Sequence, residues 1–314
     1  MKAAVYHGPG KIAIEEVPTP QIKDSEVLVK IEAAGLCGTD VKTYLRGHRY
    51  FEPPCILGHE FAGTVAQVGS EIKGFHEGDR VAVAPYVPCG TCIPCQDGMG
   101  ELCTNRSGVS SGSFTEYIVV PQEVAEKGMV RLPDDVSFVE GTLAEPLACV
   151  INGLEDCGLS LGDTILILGA GPMGMLSALV APMMGAAKVI VSELNTERLA
   201  KVEYMGAIGF NPKQGDLGEF VKKQTAGEMP NAVLVCVGTE QAVHEAMNYA
   251  APGGIVNIFG GLPKDSRLTI DPGLIHYEQV SLVGSFGFTH KQFRQAVNLI
   301  QSRRIIVSSI VSHV

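Results

Sequence analysis

A chain of 314 residues with 46% hydrophobic and 18% charged residues has the composition of a packed protein of about two domains rather than a disordered one. Its 24 basic against 34 acidic side chains leave a formal charge of −10, so no basic field is available to attract a nucleic-acid backbone. Nine cysteines, with an N-terminus (MKAAVYHGPG) that lacks an apolar leader core, predict a reducing, cytoplasmic setting in which thiolates serve metals.

Residues 1–150 are rich in glycine, proline and short β-branched runs: KAAVYH, KIAIEEV, EVLVKIEAAG, FAGTVAQVG, DRVAVAP and TEYIVV. These predict short strands joined by turns, hence a compact β-rich or barrel-like domain. Three stretches in it carry ligand types: Cys37 in GLCGTD, His59 with Glu60 in LGHE, and Glu145 in LAEPL. They are far apart in sequence, so only folding can bring them together and spacing alone proves no site. Taken singly, they read as a buried thiol, a core histidine and a linker carboxylate. The loop VKTYLRGHRYFEPP carries Lys42, Arg46, His48 and Arg49, either as a solvated cluster or as a receiver for an anionic group.

Cys89, Cys92, Cys95 and Cys103, in PCGTCIPCQDGMGELC, offer four soft thiolates from one lobe over about residues 86–105. Zinc takes four thiolates tetrahedrally at about 2.3 Å, and a structural site closes all four positions. This lobe is therefore expected to hold structure rather than to perform chemistry. An iron–sulfur centre fits a similar run of cysteines, whereas disulfides close Cys-x2-Cys spacings poorly. Cys55, Cys149, Cys157 and Cys236 sit in apolar company and read as buried small hydrophobes.

Near Pro146 the pattern changes. TILILGAG, a helix-length apolar segment, KVIVSE, ERLAKVEYMGA, NAVLVCVG, EQAVHEAMNYA and GIVNIFG alternate strand with helix, which predicts a parallel sheet covered on both faces over residues 151–287. The run from Thr164 to Ala187 has no charge, yet Gly169, Gly171, Pro172, Gly174 and Pro182 suit a strand, a turn and a buried helix rather than a membrane span. Gly169, Gly171, Pro172, Met173 and Gly174 open that helix as a G-x-G-x-x-G turn, and Glu193 follows 19 residues after Gly174. Such a turn presents helix N–H groups to a pyrophosphate, while the acidic residue accepts ribose hydroxyls and repels a 2′-phosphate, so NAD is expected over NADP. Arg198 either flanks the adenine or lies on a helix surface. Last comes a return segment, residues 288–314, in which HKQFRQAVNLIQSRR predicts an amphipathic helix burying Phe293, Val297 and Ile300.

With these motifs in place, the chain resembles the zinc-dependent medium-chain dehydrogenase/reductase family over essentially its whole length. Gly58-His59-Glu60, Gly63, Gly69 and Ile72 match the zinc alcohol dehydrogenase signature, and the four-cysteine lobe has the family's spacing. The resemblance implies an α/β protein: a catalytic domain similar to the co-chaperonin GroES, and a Rossmann nucleotide-binding domain with a doubly wound parallel sheet. It implies two zinc ions per chain, one structural and one catalytic. Cys37 and His59 would hold the catalytic ion, with Glu145 where the polyol and threonine dehydrogenase branches carry a glutamate. Glu60 would be a fourth resting ligand or an immediate neighbour of the set. Thr39 would start a proton relay, and Asp40 would orient ligands.

The implied reaction is hydride transfer to NAD from a secondary alcohol, in a polyol, sugar alcohol or sugar-alcohol phosphate, with zinc stabilising the alkoxide. A threonine-type or simple alcohol dehydrogenase is the alternative within the zinc branch. A zinc-free quinone or enal reductase and a non-catalytic binding protein that keeps the fold stand outside it. Family members usually continue past IVSSIVSHV with a helix and a strand, so the chain is expected to be a fragment or to end differently. They also pair Rossmann sheets edge to edge, and VSLVGSFG around Val283 resembles the edge strand used, which implies a homodimer or homotetramer.

Overall fold

The computed structural model describes residues 1–48 and 51–314; Arg49 of the cationic loop lies outside the described residues. The chain divides into two compact units. One comprises Met1–Ala148 with Phe288–Val311, the other Cys149–Gly287 with Ser312–Val314. The first division falls inside the helix Ala144–Glu155.

The first unit is built on an antiparallel sheet, in the order Met129–Arg131, Arg80–Val83, Glu60–Val68, Glu26–Gly35, Tyr117–Pro121. Apolar residues that alternate along these strands, among them Val27, Val29, Phe61, Val65, Ile118 and Val120, meet in one core, as the two-residue strand period requires. Between Ile31, paired with Gly63, and Ala33, paired with Ala62, the register shifts. Glu32 is the extra residue of this bulge, which re-aims the end of the strand and sets Gly35 opposite Glu60. A smaller sheet, in the order Lys11–Glu16, Lys2–Gly8, Cys55–Ile56, and a two-stranded pairing of Tyr86–Val87 with Ser107–Gly108 join it in the β-rich unit.

The return segment belongs to this unit from Phe288 to Val311. Helix His290–Gln301 buries Phe293, Val297 and Ile300, and burial of a side chain of this size contributes about 1.5–3 kcal/mol. Phe288 stacks on Tyr86 at 5.1 Å and on Phe293 at 5.9 Å between centroids. Arg294 donates to the carbonyls of Lys127 and Glu126 at 3.0 and 2.8 Å.

The second unit is a doubly wound parallel sheet. Among the described residues its strands run in the order Ile208–Phe210, Lys188–Ser192, Thr164–Leu168, Ala232–Val235, Ile255–Ile258, Ser281–Gly284. Ala232–Val235 is buried along its full length, the state of a strand covered on both faces, which explains its unbroken apolar sequence. Winding starts at Thr164–Leu168 and reverses beside it, which makes the carboxyl end of this strand the switch point where such sheets bind ligands.

The charge-free run ends its α-helix, Pro172–Val180, just before Pro182, and a 3-10 turn follows over Ala181–Met184. Among the described residues no helix is long and apolar enough to cross a membrane. One expectation needs correction: Cys157 is buried, but Cys55, Cys149 and Cys236 are only half-buried; Cys55 opens the strand Cys55–Ile56 and Cys236 follows the strand Ala232–Val235, both at element ends, while Cys149 lies mid-helix in Ala144–Glu155.

Candidate active site and metal centres

In the cysteine lobe the sulfurs of Cys89, Cys92, Cys95 and Cys103 converge. The separations are 3.4 Å for Cys92–Cys95, 3.5 Å for Cys89–Cys103, 3.7 Å for Cys92–Cys103 and 4.0 Å for Cys89–Cys95. Four sulfurs at tetrahedral corners about 2.3 Å from a zinc ion lie about 3.8 Å from one another, so the observed spacing fits that ion. Backbone N–H groups supply the rest of the cradle. Those of Thr91 and Cys92 donate to Cys89 Sγ, each at 3.4 Å, and those of Cys89 and Asn105 to Cys103 Sγ, each at 3.3 Å. Donors from the Thr91 hydroxyl and backbone, then from the Cys92 backbone, bring the Cys89 thiol down to about 5. Cys89 thus readily supplies thiolate, the form that binds metal, whereas burial pushes the Cys95 thiol up to about 12.

A second set forms where the helix Gly38–Arg46 meets the sheet. Cys37 is the N-cap of that helix, and GLCGTD folds as a capping box. Its sulfur accepts the Thr39 N–H at 3.4 Å, while Asp40 Oδ2 accepts the Cys37 N–H at 3.0 Å. Asp40, 2% exposed, also accepts the Gly58 N–H at 3.1 Å through Oδ1, which lies 3.6 Å from Nδ1 of His59. One carboxylate therefore ties the Cys37 segment to the Gly58-His59-Glu60 segment. It also occupies one side of the imidazole and leaves the other ring nitrogen for an ion, the arrangement that orients metal-binding histidines. Gly58 sits at φ +92°, where a β-carbon would collide with Ser113 and Phe114, so this turn requires glycine.

The ligand atoms of Cys37, His59 and Glu60 all lie within 4.8 Å of one another. Glu145, on the first turn of helix Ala144–Glu155, is outside that group, yet its charge acts on both His59 and Glu60. Burial opposes a charged ring at His59, but hydrogen bonding to Asp40 and Cys37 and the charge of Glu145 outweigh it and push the pKa up to about 12. Burial, then repulsion by Glu145, pushes Glu60 up to about 8 against the attraction of His59. Buried carboxylates that repel one another, as Glu60 and Glu145 do, are what a divalent cation relieves. Three close donors of Cys, His and carboxylate type also leave a fourth position open, as catalytic zinc sites do. Thr39, half-buried, stands two residues after the capping cysteine.

In the second unit the glycine turn lies at the switch point. Gly169 has φ +97°, and a β-carbon there would meet Val237. At Gly174 a β-carbon would fall 1.9 Å from the Gly169 carbonyl oxygen, whereas at Gly171 it would meet nothing within 4 Å. The first glycine thus makes the turn and the third allows close packing, while the second leaves open space at the helix N-terminus for a pyrophosphate. Pro172 is the first helical residue, and the Met173 carbonyl accepts the Ser177 hydroxyl at 2.8 Å. Glu193 holds the turn from the next strand: Oε2 accepts the Ala170 N–H at 2.7 Å and Oε1 the Asn195 N–H at 2.8 Å. Arg198 lies exposed on the helix Thr196–Tyr204. Of the cationic loop, Lys42 and Arg46 are exposed on one face of helix Gly38–Arg46, and His48 packs against Phe51 at 5.5 Å.

Sequence reasoning missed Ala170, Ser113 and Phe114. Each acts through a backbone N–H or through bulk, and neither leaves a residue-type signal.

A Cys, His and carboxylate set, a thiolate cage and a glycine turn on a doubly wound sheet define a metal-dependent oxidoreductase that uses a dinucleotide. Known proteins agree. The alcohol dehydrogenase GroES-like domain profile matches residues 23–134, and the zinc-binding dehydrogenase profile matches residues 172–302. Sorbitol dehydrogenase of Bombyx mori is 33% identical, over 99% of this chain and 90% of the relative. A Sinorhizobium meliloti 1021 protein solved with NADP is 32% identical with a TM-score of 0.89, over 98% of this chain and 90% of that one. Galactitol-1-phosphate dehydrogenase of Escherichia coli is 28% identical with a TM-score of 0.89, over 100% and 92%. The chain belongs to the zinc-binding dehydrogenase family, in its alcohol and polyol dehydrogenase branch.

Proposed function

We propose that this enzyme oxidises a secondary alcohol of a polyol or sugar alcohol, with NAD as hydride acceptor. The observation that carries the reading is the convergence of Cys37, His59 and Glu60 to within 4.8 Å. Cys37 and His59 would ligate the catalytic zinc, with Glu60 or Glu145 as the carboxylate ligand, and Cys89, Cys92, Cys95 and Cys103 the structural one. Bound zinc supplies Lewis-acid polarisation of the substrate oxygen, and bound NAD takes up the hydride.

The chain's own residues do the rest. Thr39 accepts the hydroxyl proton at Oγ1 and passes it outward, and Asp40 keeps His59 oriented. Glu193 spends one lone pair on each of Ala170 and Asn195 and keeps others for ribose hydroxyls. Its charge disfavours a 2′-phosphate. Turnover measured with NAD and NADP should favour NAD, and Glu193→Ser should narrow the ratio by about tenfold or more, as relief of a like-charge clash allows. A preference for NADP in the parent chain would overturn the assignment of Glu193.

Phosphorylated polyols are a second reading. Thr39, Lys42 and Arg46 share one stripe of the helix that Cys37 caps, and Lys42 lies about 8 Å along the axis from that cap. A substrate with its reacting carbon at Cys37 could thus place a terminal phosphate against these cations. Equal activity on free and phosphorylated polyols, unchanged by Arg46→Ala, would defeat it. A coupled assay over polyols, polyol phosphates, threonine and simple alcohols, with zinc counted on the same sample, tests the whole reading. One zinc per chain and no turnover would favour a binding protein instead. The strand Ser281–Gly284 ends its sheet, and its open edge suits pairing with a second copy in a homodimer or homotetramer.

A further inference from the structure

The residue that faces Glu60 across the sheet is a glycine for reasons of space. Gly35 and Glu60 are register partners on antiparallel strands, so their side-chain positions project from the same face. A β-carbon on Gly35 would lie 2.2 Å from Glu60 Oε2, 3.0 Å from its Cβ and 3.3 Å from its Cδ. Gly35 is not among the residues with positive φ, so alanine there meets no left-handed backbone strain; its main obstacle is the carboxylate at 2.2 Å, with Cβ of Glu60 at 3.0 Å a lesser one. Glu60 is 7% exposed and is packed within 4.8 Å of the Cys37 and His59 ligand atoms, so it has no free path to solvent.

We propose that Gly35 is a positioning residue: its missing side chain fixes where the Glu60 carboxylate stands relative to Cys37 and His59. The proposal rests on the reading of those three residues as the catalytic metal set. It gives the segment Gly35-Leu36-Cys37 two tasks, since one end supplies a ligand and the other shapes the space of a second. It also gives the bulge at Glu32 a purpose, because a strand without the extra residue would not bring Gly35 into register with Glu60.

To reach ordinary contact with a methyl group at position 35, Oε2 must retreat from 2.2 Å to 3.4 Å or beyond, which is more than 1 Å, and a misplacement of about 1 Å already costs about 100-fold in rate. Gly35→Ala is therefore expected to lower kcat/KM about 100-fold. It should also change zinc affinity at the Cys37 site in chelator competition, and shift the visible bands of the cobalt-exchanged protein, with the cysteine cage as internal reference. In a Glu60→Ala background the carboxylate is gone and only the 3.0 Å contact with the β-carbon remains, so Gly35→Ala should move affinity and bands far less than it does in the parent.

An equal shift in both backgrounds overturns the proposal, as does a Gly35→Ala protein that behaves like the parent while Glu60→Ala is impaired. If Glu60→Ala itself keeps parental affinity, bands and turnover, the metal-set reading falls and the proposal falls with it. If Gly35→Ala fails to fold, the double variant should fold, because the 2.2 Å collision with the carboxylate is gone; a double variant that also fails to fold overturns the proposal.

Discussion

Replacing Asp40 by asparagine keeps the volume at the centre of the metal set and removes one acceptor. The carboxylate now satisfies the Cys37 N–H through Oδ2 at 3.0 Å and the Gly58 N–H through Oδ1 at 3.1 Å, with Nδ1 of His59 a further 3.6 Å from Oδ1. An amide has only one oxygen, so in either orientation its NH2 group faces a buried N–H. One buried donor left without an acceptor costs about 1–3 kcal/mol of folding free energy. Loss of the partner behind a metal-binding histidine costs about 10–100-fold in metal affinity, or about 1.4–2.8 kcal/mol at 1.4 per decade. Asp40→Asn should therefore lower the urea midpoint and weaken zinc at the Cys37 site by those amounts, while the cysteine cage keeps its ion. Urea unfolding and chelator competition, followed by metal analysis, measure the two effects separately. Parental values in both would refute the argument that this carboxylate holds the two ligand segments together.

The two cysteine sets should respond in opposite ways. Cys89→Ser is expected to cost one zinc per chain and to lower the melting temperature, since ion binding to a structural cage is folding free energy. Cys37→Ser is expected to abolish turnover while melting close to the parent, and a Cys89→Ser protein with full zinc and unchanged melting would count against the cage. The pH dependence has a defined sign at Glu140. Burial disfavours its charge, but the Ser137 N–H and hydroxyl and the Arg303 guanidinium outweigh it and hold the pKa below the usual carboxylate range. This stabilisation is full above the unfolded value of about 4.3 and is lost as pH falls through the folded value. Arg303→Ala should cost less than about 1 kcal/mol near neutrality, given the exposure of the Arg303 side chain. That difference should narrow below about pH 4 in urea midpoints, and a difference independent of pH would contradict it.

The thiolate cage and the glycine turn could be read from the chain because each is local. The sulfurs of Cys89 to Cys103 belong to one loop, and Gly169 to Gly174 join one strand to the helix that follows. The alternation of strand and helix after Pro146 likewise set the class of the second unit, since continuous apolar strands need cover on both faces. Cys37, His59, Glu60 and Glu145 were different. Nothing in their spacing joined them, and resemblance rather than pattern singled them out.

What the amino-acid order determined by itself was the class of each unit and the motifs whose partners lie a few residues away. Contacts within a turn or along one element follow from local geometry. Tertiary structure alone decided which carboxylate stands beside Cys37 and His59, with Glu60 inside the close group and Glu145 outside it. It alone set Asp40 as the tie between two segments and Gly35 as the space for Glu60. Those outcomes depend on strand register, where one extra residue at Glu32 changes every facing pair that follows, and register is settled by the packing of the whole sheet.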